Sequence, residues 1–145
     1  MTYEELSDLL RQSTMTLATC DMEGNPHAAP LYFAADKDLS CYFLSKEDSQ
    51  HGQDLATHPQ AAVAIFIEAS DWREIRGLQM RGRAQIVTEP RTRERGWTLY
   101  RQKFPFVAEL AQIVQTHQLY VFIPEWARYI NNRLALGSKK EWRIP

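Results

Sequence analysis

Two stretches of the chain carry the residue types from which a site for a small anionic molecule can be built. The first is CYFLSKEDSQHGQDLATHPQAAVAIFI, residues 41–67, where a strand-like run empties into a segment rich in hydroxyls and basic groups. Ser45 and Ser49 can donate hydrogen bonds to a phosphate, Lys46 can supply charge, and His51 adds a charge-assisted bond when protonated. Backbone amides at a helix start would reinforce them. The same residues also fit ordinary capping by Ser45 and a solvated turn holding Lys46 and His51. The second stretch is WREIRGLQMRGRAQIV, residues 72–87, in which Gln79, Arg81 and Arg83 share one strand face if no bulge intervenes. Gln79 both donates and accepts, as recognition of a polar ring edge requires, and Arg81 or Arg83 can meet a phosphate or carboxylate. An exposed strand face fits that alternation equally well.

Other chemistries find less support. His27, His51, His58 and His117, with Cys20 and Cys41, match no zinc-finger or H-E-x-x-H spacing, so no metal site is expected. No G-x-S-x-G elbow marks a nucleophile, and no catalytic residue is identified. The carboxylate pairs Asp21 with Glu23, Asp36 with Asp38, and Glu47 with Asp48 all fall in turn-like segments, where solvation explains them.

The elements that must position these residues are mostly strands. Glu4 to Arg11 is a short amphipathic segment suited to covering a barrel end, with Leu6, Leu9 and Leu10 on one side. Thr14 to Cys20 and His27 to Asp36 form a hairpin around Gly24, with Pro30 implying a bulge, an edge or a ligand-facing gap. Leu39 to Leu44 is a third strand, and Ser45 can cap a short polar helix that Pro59 ends. Ala61 to Ile67 is apolar enough to be buried on both faces or shared with a partner subunit. Ile75 to Glu89 is a long strand able to bend at Gly77 and Gly82, which favours barrel closure. A helix from Thr88 or Thr92 to Gln102, a second from Pro105 to Gln115, and strands Leu119 to Pro124 and Ala127 to Asn132 complete the order before a tail containing Gly137. Such a hairpin-first order contradicts regular βα alternation. It predicts a mainly β fold with flanking helices, a small antiparallel split β-barrel.

The 145 residues are 44% hydrophobic and 24% charged, consistent with one ordered domain spanning residues 1–145. Size scaling gives about 7,700 Å² of surface for the folded monomer against roughly 24,500 Å² extended, so one real core is feasible. No run reaches a bilayer-spanning length and the start is acidic, which predicts a cytoplasmic protein with buried free thiols at Cys20 and Cys41. A net charge of -1 argues against a general nucleic-acid surface but leaves room for a local basic patch.

YFLSKEDSQHGQDLATHPQAAVAIF, supported by STMTLATCDMEGNPHAAPLYF and LQMRGRAQIV, resembles the FMN-binding split barrels related to pyridoxamine 5'-phosphate oxidase, and the order of these strings covers most of the chain. The resemblance implies a homodimer with FMN between subunits, held by Ser45, Lys46, Ser49, His51, Gln79 and Arg81. It implies an FMN-dependent oxidoreductase acting on a small molecule; relatives that bind flavin without catalysis, act in stress, or bind haem or F420 give the alternatives. In a haem relative His51, His58 or His117 would be the axial ligand. Gln50 and His51 stand where the oxidases commonly carry Arg and Lys, and HAAPLYF lacks their second-strand arginine. Trp142-Arg143 only weakly matches their C-terminal substrate-reading pattern, and Trp72, Trp126 and Tyr129 are the candidate substrate walls.

Overall fold

The computed structural model describes residues 1–145. One turn of helix, α1 (Ser7–Leu10), precedes strands β1 (Thr14–Cys20), β2 (Pro26–Tyr32), β3 (Ala34–Ala35) and β4 (Cys41–Ser45). Then come α2 (Gln50–Thr57), β5 (Gln60–Ile67), β6 (Arg76–Ile86), α3 (Pro90–Lys103), α4 (Ala111–Thr116), β7 (Gln118–Asn131) and β8 (Lys139–Arg143), with 3-10 turns at Trp72–Glu74 and Pro105–Glu109. No helix is long and apolar enough to cross a membrane.

All strands belong to one antiparallel sheet in the order β2-β1-β5-β6-β7-β4-β3, with β8 added beside the second half of β7. Its two edges are consecutive in the chain: β2 pairs with β1 up to Tyr32, Phe33 intervenes, and β3 then pairs with β4. Continuous chain can join opposite edges over one residue only if the sheet curls back on itself, so the topology itself produces the split barrel. Pro30, which cannot donate to a ladder, lies within edge strand β2, where that loss is tolerated.

The barrel interior buries Met15, Leu17, Phe33, Phe43, Val63, Ile65, Leu78, Met80 and Phe122, with Leu6, Leu9 and Leu10 closing one end. The expected amphipathic segment thus forms a cover, although only Ser7–Leu10 is helical. Two cations fasten it. Arg76 pairs with Asp8 and donates to Tyr129 Oη at 3.4 Å. Lys103 Nζ donates to the carbonyls of Leu10 and Gln12 at 3.0 and 2.6 Å while resting 3.8 Å from the centre of the Phe33 ring. Burial pushes the Lys103 ammonium down to about 8 and the Cys41 thiol beneath it up to about 12.

A second core lies on the outside of β3, β4 and the first half of β7, where Trp97 and Tyr100 of α3, and Phe104 just after it, pack on Tyr42, Leu119 and Val121. The rest of the outer face is bare. On β5 only Val63 and Ile65 are buried while Phe66 is 64% exposed, so this chain alone covers one face of the strand expected to be buried on both. The molecule's surface is 8762 Å², roughly 1,000 Å² above what its mass predicts.

Several boundaries differ from expectation for local reasons. Ser49, not Ser45, caps α2, its Oγ accepting from Gly52 N at 3.1 Å, because β4 continues through Ser45. Glu89, not a threonine, caps α3 by accepting from the amides of Arg91 and Thr92. The strands expected at 119–124 and 127–132 are one strand, β7, with Glu125 as an extra residue at a bulge opposite Arg81 and Gly82. The tail beyond Gly137 forms β8, a strand whose charged sequence KKEWR gave no apolar signal.

At the bulge, a Cβ on Gly82 would overlap the Ile123 carbonyl, whereas one on Gly77 would stand 3.4 Å from its nearest neighbour, Ile65 O. Gly82→Ala is therefore expected to destabilise the fold by more than about 2 kcal/mol in urea denaturation, with Gly77→Ala costing markedly less. Equal effects would show that the bend does not depend on Gly82.

Candidate functional site

The end of β4 and the start of α2 bring Ser45, Ser49 and His51 together. Ser45 Oγ lies 2.5 Å from His51 Nε2 and 3.1 Å from Ser49 Oγ, and Ser49 Oγ donates to the Lys46 carbonyl at 2.7 Å. Ser45 Oγ also lies 3.3 Å from the Lys46 carbonyl, so its single hydrogen cannot serve every neighbour at once, and which partner donates in the Ser45–His51 contact depends on the imidazole tautomer. Gly52 keeps this turn tight: a Cβ there would sit 2.5 Å from the Lys46 carbonyl. Lys46 itself contributes its backbone, while its exposed side chain lines a depression with Glu47, Asp48 and Thr116.

His27, on the inward face of β2, stacks beside His51 with ring centres 6.1 Å apart and planes within 14°. Deeper in, buried Asp54 accepts from Thr19 Oγ1 at 2.7 Å and from Gln50 Nε2 at 2.8 Å. His27 and Asp54 were not anticipated. The available signal was the alternation His27, Ala29, Leu31, which puts His27 on the inward face of the strand.

Burial, and then the neighbouring His27, hold the His51 imidazole below its ordinary 6.5, with Asp54 pulling the other way.

Gln79, Arg81 and Arg83 do share the outer face of β6, because the bulge falls on β7 and leaves the β5–β6 register unbroken. Gln79 Oε1 accepts from Arg128 Nη1 at 3.4 Å, and Arg83 pairs with Glu125 at 3.0 Å. The Arg81 guanidinium lies 4.0 Å from the centre of the Trp126 ring, over which Arg128 also sits, at 5.0 Å. Arg81, Arg83, Glu125 and Trp126, but not Gln79 or Arg128, border a cleft of about 700 Å³ whose lining includes Ala18, Cys20, Ala62 and Arg143. Cys20 is thus only half-buried, unlike Cys41. Of the expected aromatic walls only Trp126 is in this cleft: Tyr129 bonds Arg76, and Trp72 is exposed in its 3-10 turn. Thr19, whose side chain turns inward to bond Asp54, also contributes to the lining of the cleft, whereas Ser45, Ser49 and His51 do not.

The depressed His51 imidazole has a consequence for stability. The folded state prefers the neutral ring, so its contribution is complete above 6.5 and is lost as pH falls through the folded-state pKa. Between about pH 7 and pH 5 the urea midpoint should fall less for His51→Gln than for the native chain. Identical pH dependence in the two proteins would refute this.

A family model described as pyridoxamine 5'-phosphate oxidase matches residues 2–131. The pyridoxine/pyridoxamine 5'-phosphate oxidase of Xanthomonas oryzae pv. oryzae is 41% identical over 83 residues, a match covering 54% of this chain and 39% of that protein. Among solved structures, a heme binding protein from Mycobacterium smegmatis superposes with a TM-score of 0.77 at 18% identity, covering 92% of this chain and 53% of that one. HutZ, the heme storage protein from Vibrio cholerae, superposes with a TM-score of 0.70 at 20% identity, covering 86% of this chain and 92% of the other. These two likenesses show a shared fold. With the family match running from residue 2 to residue 131, this chain belongs to the pyridoxamine 5'-phosphate oxidase family.

Proposed function

We propose that this protein is a flavin-binding split barrel that holds FMN against its bare sheet face, with the phosphate at Ser45, Ser49 and His51 and the ring edge at Gln79. The observation that carries this reading is the convergence of the Ser45, Ser49 and His51 side chains on one turn, in a molecule that also has a cleft of about 700 Å³, a volume in the range of small-molecule sites. To receive a phosphate, the Ser45 and Ser49 hydroxyls turn from each other toward the anion. Gln79 has its carbonyl oxygen on Arg128 and its amide hydrogens left to donate. Lys46 and Arg81 stand at the two margins as cations. Bound FMN supplies hydride chemistry, for which the chain's own task is placement.

The reading stops at binding and leaves turnover of a small molecule as its extension. Gln50 and His51 replace the oxidases' paired cations, and β2 carries no arginine. These departures support a flavin-binding role over pyridoxamine 5'-phosphate oxidation. The bare face of β1, β5 and β6, with Phe66 exposed, supports a second copy as its cover.

A gently purified sample should show oxidised-flavin absorption or gain it on titration with FMN, and Gln79→Ala should weaken FMN by about tenfold. No flavin and no saturable FMN binding would remove the assignment. The same spectrum tests haem, which the fold shared with the heme-binding structures raises. An axial imidazole is the obstacle, since His51 Nε2 is engaged by Ser45, and neither His58 nor His117 lines the cleft. Sedimentation should give a dimer at micromolar concentration; a monomer throughout that range would count against the shared face.

A further inference from the structure

We propose that the cavity between α2 and the β6–β7 pair is a binding site for a small protonated amine with a short apolar body. The cavity has a volume of about 260 Å³ and shares no lining residue with the outer cleft. Ser45, Ser49, His51 and Gln79 are absent from its wall as well, so it lies outside the flavin reading. Leu55 of α2, Ile86 of β6 and the ring of Tyr120 on β7 supply its apolar surface. Gly52 lets α2 close on the segment that carries Glu47, since a Cβ there would sit 2.7 Å from the Glu47 carbonyl.

Three polar groups meet at this cavity without partners. Glu47 takes part in none of the molecule's ion pairs, although Lys46 is its neighbour in the chain. Gln85 reaches it from an exposed position near the end of β6. Solvation accounts for both of these exposed groups. It does not account for Tyr120, which is only 3% exposed and whose hydroxyl bonds nothing in the protein. Stacking on Phe43, with ring centres 5.2 Å apart, asks for the ring alone, which a phenylalanine would supply. Arg76 Nε is the one buried side-chain polar atom sealed off without a partner, so the Tyr120 oxygen stays open through the cavity it lines. Burial, and then the nearby Glu47 charge, hold that phenol above its ordinary range.

An ammonium answers all three groups at once. Its three N–H bonds match three acceptors, the Glu47 carboxylate, the Gln85 side-chain carbonyl and Tyr120 Oη, and its charge offsets the unpaired carboxylate. An anion in the same place would meet Glu47 as a like charge.

The test is calorimetric titration of the full-length protein with phenethylamine, phenethyl alcohol and phenylacetate, and separately with FMN. Phenethylamine should saturate, with the alcohol weaker by about tenfold or more and phenylacetate weaker still. Glu47→Gln and Tyr120→Phe, which keep the shape of the site, should each weaken phenethylamine by about tenfold. Glu47→Gln, at an exposed position, should leave the melting temperature and FMN affinity unchanged. The proposal is overturned by no saturable phenethylamine binding up to about 10 mM, by native affinity for it in either variant, or by phenylacetate binding as tightly as the amine. Weakened FMN binding in Glu47→Gln would also overturn it, since the site would then be part of the flavin's.

Discussion

The bulge at Glu125 is the constraint from which the rest of the molecule follows. One extra residue on β7 opposite the Arg81–Gly82 step bends the sheet where β7 leaves β4 and takes up β8. Pro124 can occupy this position because a ladder interrupted by a bulge asks less of its missing donor, and Gly82 because no Cβ intrudes on Ile123. The bend lets the sheet curl far enough for β2 and β3, neighbours in the chain, to lie on opposite edges. It also sets Arg81 against Trp126 at the rim of the cleft. Barrel closure and the shape of the site are therefore one geometric event.

That event was partly legible beforehand. Gly82 within an otherwise apolar-alternating run signals a bend, and the hairpin-first order excludes a doubly wound sheet. What the sequence could not show was on which strand the extra residue would fall. Placed on β6 it would have split Gln79 from Arg83; placed on β7 it keeps them on one face. The same limit explains why 119–124 and 127–132 read as separate strands, since PEW resembles a break unless its partner's register is known. Strand β8 was invisible because KKEWR has a single apolar residue, Trp142, which packs against the core, and otherwise draws its order from the ladder with β7.

The site was legible as chemistry and less so as geometry. Ser45, Ser49 and His51 converge because β4 runs through Ser45 and α2 starts after Ser49, putting the three side chains on one turn. Lys46 has the right chemistry but lies one step off that turn, with its carbonyl inward. His27 and Asp54 act through contacts made across strands and helices, which no local spacing encodes.

The charge pattern gives these observations a common direction. The His51 imidazole, stacked beside His27, is a weak and pH-dependent partner for an anion, because burial favours its neutral ring. Arg81 and Arg143, which take part in none of the ion pairs, are instead on the opposite, outer side of the sheet, lining the cleft. A ligand whose only charge sits at the cluster is held chiefly by hydroxyls and shape, whereas an anion at the cleft meets guanidinium groups that stay charged at any physiological pH. With a net charge of only -1 over the whole chain, that local asymmetry is invisible in the composition.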